Sequence, residues 1–173
     1  MDLVSKVFDE RGFVEKIGGM IPGFGGYFNR NKRRDADKLL RDYIARQVDE
    51  QRGRLASLTV QLTSTPGGLK HLELAERATM KMQVFMDKMR TASYGYAGWF
   101  DAVKVDEQDL EAIYNYDTSL LEGVGRVANE VTALENAVAT GEGIPIILNN
   151  LIRETDDLNR AFAKRQDLIL ATH

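Results

Sequence analysis

Two charged residues occupy positions in the sequence where apolar side chains are expected. From residue 110 to residue 138, apolar residues recur at alternating spacings of three and four, and Asp117 is the exception. A similar pattern runs from Leu148 to Ile169, where Arg165 is the charged member. A buried carboxylate costs several kcal/mol on its own, and a facing guanidinium offsets much of that cost. We therefore predict a buried ion pair between Asp117 and Arg165.

The turn between these two patterns supports the same pairing. If Val138 faces Ile144 across the turn, two residues lie at the same level of the two helices when their numbers add up to the same total as 138 and 144. On that rule Asp117 faces Arg165. Polar residues in a helical seam commonly set the register between helices. The pair is therefore interpreted as structural, and a functional site built around it is the alternative.

The residues needed for most enzymatic and metal chemistry are missing from the sequence. Cysteine is absent, which excludes disulfides, thiolate ligands and cysteine nucleophiles, and the two histidines are His71 and His173. Neither histidine belongs to a Glu-x-x-His motif, which di-iron helical bundles require. The glycines at 18–26 lack the Gly-Lys-Ser/Thr ending of a phosphate-binding loop. We predict no enzyme, no cofactor and no metal site.

Aromatic residues are concentrated in residues 24–28 and 94–100, and basic residues in residues 30–34. Aromatic side chains combine a large apolar area with a polar group and dominate binding hot spots when they are exposed. The alternative is that these rings pack on one another and close the end of the helices. The predicted partner-binding residues are Phe24, Tyr27, Phe28, Arg30, Lys32, Arg33, Arg34, Tyr94, Tyr96, Trp99 and Phe100.

Helical periodicity accounts for most of the chain after residue 32. It predicts helices over roughly 33–63, 66–92, 106–139 and 145 to near the C-terminus, with Thr65 capping the second. Two of the three connections are short, which favours antiparallel neighbours. The predicted fold is all-α, an antiparallel up-down-up-down four-helix bundle over residues 33–173. Residues 1–32 form a short amphipathic N-terminal extension rich in glycine and aromatics.

The N-terminal extension has two interpretations. If residues 2–20 are helical, an apolar face precedes the basic cluster, as in helices that lie on an anionic bilayer. In this layout the chain resembles the phage-shock and vesicle-inducing membrane-remodelling proteins, a resemblance that implies membrane association and carries over no functional residue. The alternative is that the extension folds back along the bundle. The apolar face consists of Leu3, Val4, Val7, Phe8, Val14, Ile17 and Ile21.

Composition limits the remaining functional classes. The chain has 173 residues and a net charge of −3, so no overall positive field attracts nucleic acid. No apolar run approaches the roughly 20 residues of a membrane span, and we expect a cytoplasmic protein, at most peripheral to the membrane. We predict a non-catalytic scaffold or adaptor that docks a protein partner or an anionic membrane surface. The alternative is a helical bundle that binds a small ligand or cofactor, and a homo-oligomer is also open.

Overall fold

Helices and the turns that join them make up the residues that the structure describes. A computed structural model describes residues 10–92 and 106–171. Within these ranges no strand is present, and two short 3-10 turns cover Arg30–Lys32 and Gly68–His71. The all-helical fold predicted from the sequence is thereby confirmed. The α-helices are α1 (Glu10–Gly18), α2 (Arg33–Ser64), α3 (Leu72–Thr91), α4 (Glu107–Thr140) and α5 (Ile144–Ala171).

The apolar residues that recur at helical spacing form the core. Every position of the α5 pattern from Leu148 to Ile169 is buried. The same spacing runs along α2, and its positions are likewise all buried: Leu40, Ile44, Val48, Gln51, Leu55, Leu58 and Leu62. Helix α3 contributes Phe85, whose ring packs edge-to-face on Phe162 with ring centroids 6.2 Å apart. The three-and-four spacing therefore identified the buried face of each long helix.

The helix ends follow local chemistry. The carboxylate of Asp106 caps α4 by accepting a hydrogen bond from the Asp109 N–H at 2.9 Å. The predicted start of the second long helix is wrong, since the Thr65 N–H donates to the Leu62 carbonyl and Thr65 ends α2 instead. The turn that follows needs glycine at Gly68, where an added Cβ would lie 2.1 Å from the Leu62 carbonyl oxygen. Helix α3 consequently begins at Leu72.

The long helices pack as two hairpins that lie side by side. Helices α2 and α3 are antiparallel, as are α4 and α5, because each pair is joined by a short turn. Across the hairpins, α2 packs on α4 and α3 packs on α5. The α2–α4 and α3–α5 pairs run parallel, as shown by contacts of Arg54 with Glu135 and of Lys81 with Asp156. Neighbouring helices are thus antiparallel within each hairpin, as predicted, whereas neighbours from different hairpins are parallel. Helix direction still alternates along the chain, as in an up-down-up-down arrangement.

The length of the middle connection allows the parallel packing between hairpins. Residues 92–106 join α3 to α4. A segment of that length can span up to about 50 Å when extended. It therefore does not require the two helices that it joins to be neighbours, whereas a tight turn does.

The described part of the N-terminal extension is packed against the helices. Helix α1 lies on α4. Ile17, Ile21, Phe24 and Tyr27 are buried in the same core as the long helices. This arrangement corresponds to the alternative in which the extension folds back along the bundle. The apolar face that we considered for membrane binding is occupied, over its described residues, by contacts within the chain.

Two glycines on α4 should respond oppositely to alanine. A Cβ at Gly123 would lie 2.5 Å from Leu158 Cδ2 on α5, and Leu158 is itself buried. We expect Gly123→Ala to lower the free energy of unfolding by about 1–3 kcal/mol through overpacking. Gly125 is exposed with no atom within 4 Å of its added Cβ. Gly125→Ala should therefore raise the free energy of unfolding by about 0.5–1 kcal/mol. Urea denaturation monitored by circular dichroism measures both, and effects of the same sign would contradict the close approach of Gly123 to Leu158.

Candidate functional site

A group of hydrogen-bonded polar side chains lies in the core between the helices, near the start of α2. We call it the buried charge cluster, and each of its five members is at most 4% exposed. At its centre, Arg165 Nε donates to Asp117 Oδ1 at 2.7 Å. Arg165 Nη2 also donates to Asp37 Oδ1 at 2.7 Å. The structure thus brings together the two residues that the sequence paired, and it adds a second carboxylate. The members are Tyr27, Asp37, Arg41, Asp117 and Arg165.

The second carboxylate has a guanidinium partner of its own. Arg41 Nε donates to Asp37 Oδ2 at 2.7 Å, one helical turn along α2. Arg41 Nη1 donates to the Met89 carbonyl oxygen at 2.7 Å, near the end of α3. Two carboxylates therefore face two guanidinium groups, which offsets the cost of burying each charge. The buried charge cluster connects all four long helices at one level.

Tyr27 attaches the N-terminal extension to the buried charge cluster. Its hydroxyl donates to Asp117 Oδ2 at 2.8 Å and accepts from Arg165 Nη2 at 3.1 Å. Its backbone N–H donates to the Tyr114 hydroxyl at 2.6 Å. Its carbonyl oxygen accepts from Arg33 Nε at 2.6 Å. The backbone and the side chain of this one residue are thus both held in place.

Burial controls the protonation of the buried charge cluster. Burial raises the pKa of Asp117 to about 6, and the Arg165 guanidinium opposes this rise. Burial also raises the pKa of Tyr27 well above its ordinary value, and the Asp117 carboxylate adds to that shift. The Tyr27 hydroxyl therefore keeps its proton and acts as a hydrogen-bond donor. These side chains are buried, so the buried charge cluster offers no open surface to a solute. Its hydrogen bonds hold the helices in their relative positions.

Three of the predicted partner-binding residues are buried, which corrects their assignment to a docking surface. Phe24 and Tyr27 lie in the core, and Arg33 turns inward to the Tyr27 carbonyl. The ring of Phe24 packs edge-to-face on Tyr27 with centroids 5.9 Å apart, and Tyr27 lies 5.1 Å from Tyr114. These aromatics close the end of the helices, which was the alternative interpretation of this segment. The physical reason is that the extension folds back and buries its apolar rings.

The other described members of the predicted surface are exposed. Phe28 is 79% exposed, although it directly follows the fully buried Tyr27. Arg30, Lys32 and Arg34 are also exposed. A 3-10 turn carries the first two, and its N-cap Asn29 accepts a hydrogen bond from the Asn31 N–H at 3.1 Å. We call the four exposed residues Phe28, Arg30, Lys32 and Arg34 the exposed basic segment. Tyr94, Tyr96, Trp99 and Phe100 lie outside the described residues, and their part in a docking surface stays a prediction.

Sequence reasoning missed Asp37, Arg41 and Tyr114, although a signal for Asp37 was present. The seam of α2 can be extended backwards from Leu40 by three residues to Asp37 and by four more to Arg33. Both extended positions are buried. Charged residues that continue an apolar spacing therefore indicated buried polar contacts, as Asp117 and Arg165 did. No comparable pattern marks Tyr114, whose neighbour Ile113 already occupies the seam.

The described residues contain neither a metal-binding cluster nor a membrane-spanning helix that would indicate a function. In residues 10–92 and 106–171, no group of three or more metal-ligating side chains is placed to hold an ion. None of the helices in these ranges is long and apolar enough to cross a bilayer. No protein-family model, no curated protein and no solved structure matches the chain.

Proposed function

We propose that the protein is a non-catalytic helical adaptor that docks an anionic membrane surface through its exposed basic segment. One observation carries this proposal: the Phe28 ring is 79% exposed, while the neighbouring rings of Phe24 and Tyr27 are buried. An exposed ring beside cations combines an apolar side chain that enters the bilayer interface with charges that attract anionic head groups.

The anchoring of the exposed basic segment favours this role. Tyr27 and Arg33 stand on either side of residues 28–32, and they are joined to each other by a 2.6 Å hydrogen bond. Both are buried. Residues 28–32 therefore form a loop with tied ends, which presents Phe28, Arg30 and Lys32 outward. A loop held in this way loses little conformational freedom on binding.

The long helices act in this proposal as a rigid support. We infer that α2 to α5 form a four-helix bundle made of two antiparallel hairpins, with the buried charge cluster tying the end that carries the loop. The support for this inference is the pairing of α2 with α3 and α4, and of α5 with α3 and α4. The bundle would be peripheral to the membrane.

A membrane is favoured over an acidic protein because Phe28 is the only exposed aromatic ring among the residues that the structure describes. Protein hot spots are usually packed clusters of anchors that a surrounding rim shields from water. In the described part of this end, the neighbouring rings Phe24 and Tyr27 are buried and cannot join Phe28 in such a cluster. Binding to an anionic bilayer depends instead on buried apolar area and on nearby cations, and it does not require several rings to pack together.

Co-sedimentation with lipid vesicles tests the proposal. The protein should bind vesicles of phosphatidylcholine with added phosphatidylserine, and bind phosphatidylcholine alone much more weakly. Each basic residue near an anionic surface contributes about 1 kcal/mol. We therefore expect the triple variant Arg30→Glu, Lys32→Glu, Arg34→Glu to reduce vesicle affinity by about 100-fold or more. Phe28→Ala should reduce it less, because it leaves the charges in place.

A charge-matched variant is the control for this experiment. Arg46, Lys70 and Lys164 are exposed and lie outside the exposed basic segment. Reversing these three to glutamate changes the net charge by the same amount and should leave vesicle binding largely intact. Equal losses in the two variants would show that overall charge, and not the segment, drives binding. Failure of the unmodified protein to bind anionic vesicles would exclude the membrane and leave an acidic protein partner.

A further inference from the structure

We propose that the face shared by α3 and α5 is a second docking site, which binds an amphipathic helix of a partner protein along an acidic edge of that helix. This inference is independent of the membrane docking assigned to the exposed basic segment. The α3 residues that line the site recur at helical spacing and share one side of the helix. We call them the α3 face: Arg77, Met80, Lys81, Val84 and Lys88.

Two apolar side chains form the centre of the α3 face. Met80 is 68% exposed and Val84 is 48% exposed, and they stand one helical turn apart. A shallow groove of about 440 Å³ runs beside them, with Asp156 and Asn159 of α5 on its far side. A helix that binds in a groove inserts apolar anchors spaced about one turn apart, and the exposed Met80 and Val84 offer apolar contacts at that spacing.

Single exposed apolar residues are common on proteins and carry no functional meaning alone. Val60 on α2 is one of them: it is 68% exposed, and residues near it on the helix surface, such as Ser57 and Ser64, are uncharged. The α3 face differs because its two apolar residues are adjacent, line a groove and are bordered by charges. Val60 therefore provides a matched control for tests of the α3 face.

Charge identifies the occupant. Arg77, Lys81 and Lys88 border the groove. Arg77 and Lys88 are 11 positions apart on α3, which is about 16 Å, or three helical turns. The one carboxylate among the groove-lining residues, Asp156, is already paired with Lys81. The groove side of α3 is thus positive, which suits an acidic edge of an incoming helix of about three turns.

Acidic residues on the side of Met80 and Val84 that faces away from the groove set the orientation of the bound partner helix. Glu76 and Asp87 lie on α3 away from the groove-lining cations, and both are exposed. A helix that carried acids on both edges would meet these carboxylates. The matching partner is therefore amphipathic, with apolar anchors one turn apart and acidic residues on the edge that lies over the groove.

A synthetic peptide supplies the test. The probe is a fluorescein-labelled 18-residue helical peptide with leucine anchors one turn apart and glutamates along one edge, titrated with the full-length protein by fluorescence anisotropy. Saturable binding that weakens with added salt is expected. The same peptide with lysine in place of glutamate should bind at least about tenfold more weakly. Equal binding of the two peptides, or no saturable binding of the acidic one, would overturn the proposal.

Variants locate the binding on the protein. We expect Arg77→Glu with Lys88→Glu to weaken peptide binding at least about tenfold, and Met80→Ser with Val84→Ser to weaken it similarly. Val60→Ser, and Arg46→Glu with Lys70→Glu, should leave it unchanged. Circular dichroism verifies that each variant is folded. Unaltered binding by the α3-face variants would overturn the assignment.

Two further measurements separate this proposal from the membrane proposal. The triple variant of the exposed basic segment should still bind the peptide, since that segment is distinct from the α3 face. Binding of the protein to anionic vesicles should not depend on Arg77 and Lys88. If Arg77→Glu with Lys88→Glu abolished vesicle binding and left peptide binding intact, the α3 face would be a lipid-binding surface and the proposal would be wrong.

Discussion

Replacing Arg165 with leucine is expected to lower the free energy of unfolding by about 4 kcal/mol, since breaking a buried ion pair leaves an uncompensated charge. The loss affects two carboxylates, because Arg165 donates 2.7 Å hydrogen bonds to both Asp117 and Asp37. Urea denaturation followed by circular dichroism measures it. The control is Arg160→Leu on the same helix. Its guanidinium is exposed and pairs with Asp157 within α5, so its removal should cost less than about 1 kcal/mol.

The double variant Arg165→Leu, Asp117→Leu tests the coupling between the two residues. It should be more stable than Arg165→Leu alone, because the carboxylate that loses its partner is removed together with it. Recovery should be incomplete, since Asp37 remains buried and keeps only Arg41 as its guanidinium partner. A double variant no more stable than the single one would show that Asp117 and Arg165 are not energetically coupled.

The cost of Arg165→Leu should also depend on pH. The pKa of Asp117 is about 6 in the folded protein, above its ordinary value of 3.8, so the native state binds this proton more tightly than the unfolded chain does. The contribution of this group to stability therefore falls as pH rises from about 4 to 6. Arg165 lowers the pKa of Asp117, so its removal raises that pKa further and extends the fall to higher pH. The stability difference between the two proteins should widen from pH 5 to pH 8, and a constant difference would contradict this.

Replacing Tyr27 with alanine is expected to destabilise the protein by about 3–5 kcal/mol, the usual cost of removing a buried aromatic ring. The ring packs against Phe24 and Tyr114, and its hydroxyl donates to Asp117. Tyr27→Phe keeps the ring and removes only the hydroxyl, so it should cost about 1–3 kcal/mol. Because Tyr27 attaches the N-terminal extension, the alanine variant should also lose amide hydrogen-exchange protection at Ile21, which packs in the same core.

The adjacent aromatic residue is a matched control for this prediction. Phe28 follows Tyr27 directly but is 79% exposed. Phe28→Ala should therefore change the free energy of unfolding by less than about 0.5 kcal/mol. Equal destabilisation by the two alanine variants would mean that Phe28 is packed in solution. It would also remove the observation on which the proposed membrane docking depends.

The sequence by itself determined the helical fold and the presence of a charged pair at one level of its core. Apolar residues at spacings of three and four mark the face that each long helix buries, because 3.6 residues complete a turn. The charged exceptions Asp117 and Arg165 were recognisable for the same reason. Their pairing followed from the tight turn at Gly141 and Gly143, since a short connection places two helices antiparallel and aligns their levels.

Only the tertiary structure decided which residues of the N-terminal extension face solvent. Residues 19–29 have no regular period from which burial can be read, so the sequence assigned Tyr27 and Phe28 to one surface. Folding back of the chain buried Tyr27 and left Phe28 exposed. Tertiary contacts also brought Asp37 and Arg41 into the buried charge cluster. They likewise set the parallel packing of α2 on α4 and of α3 on α5. The physical reason is that these features depend on contacts between residues far apart in the chain, and the long connection between α3 and α4 does not restrict which helices become neighbours.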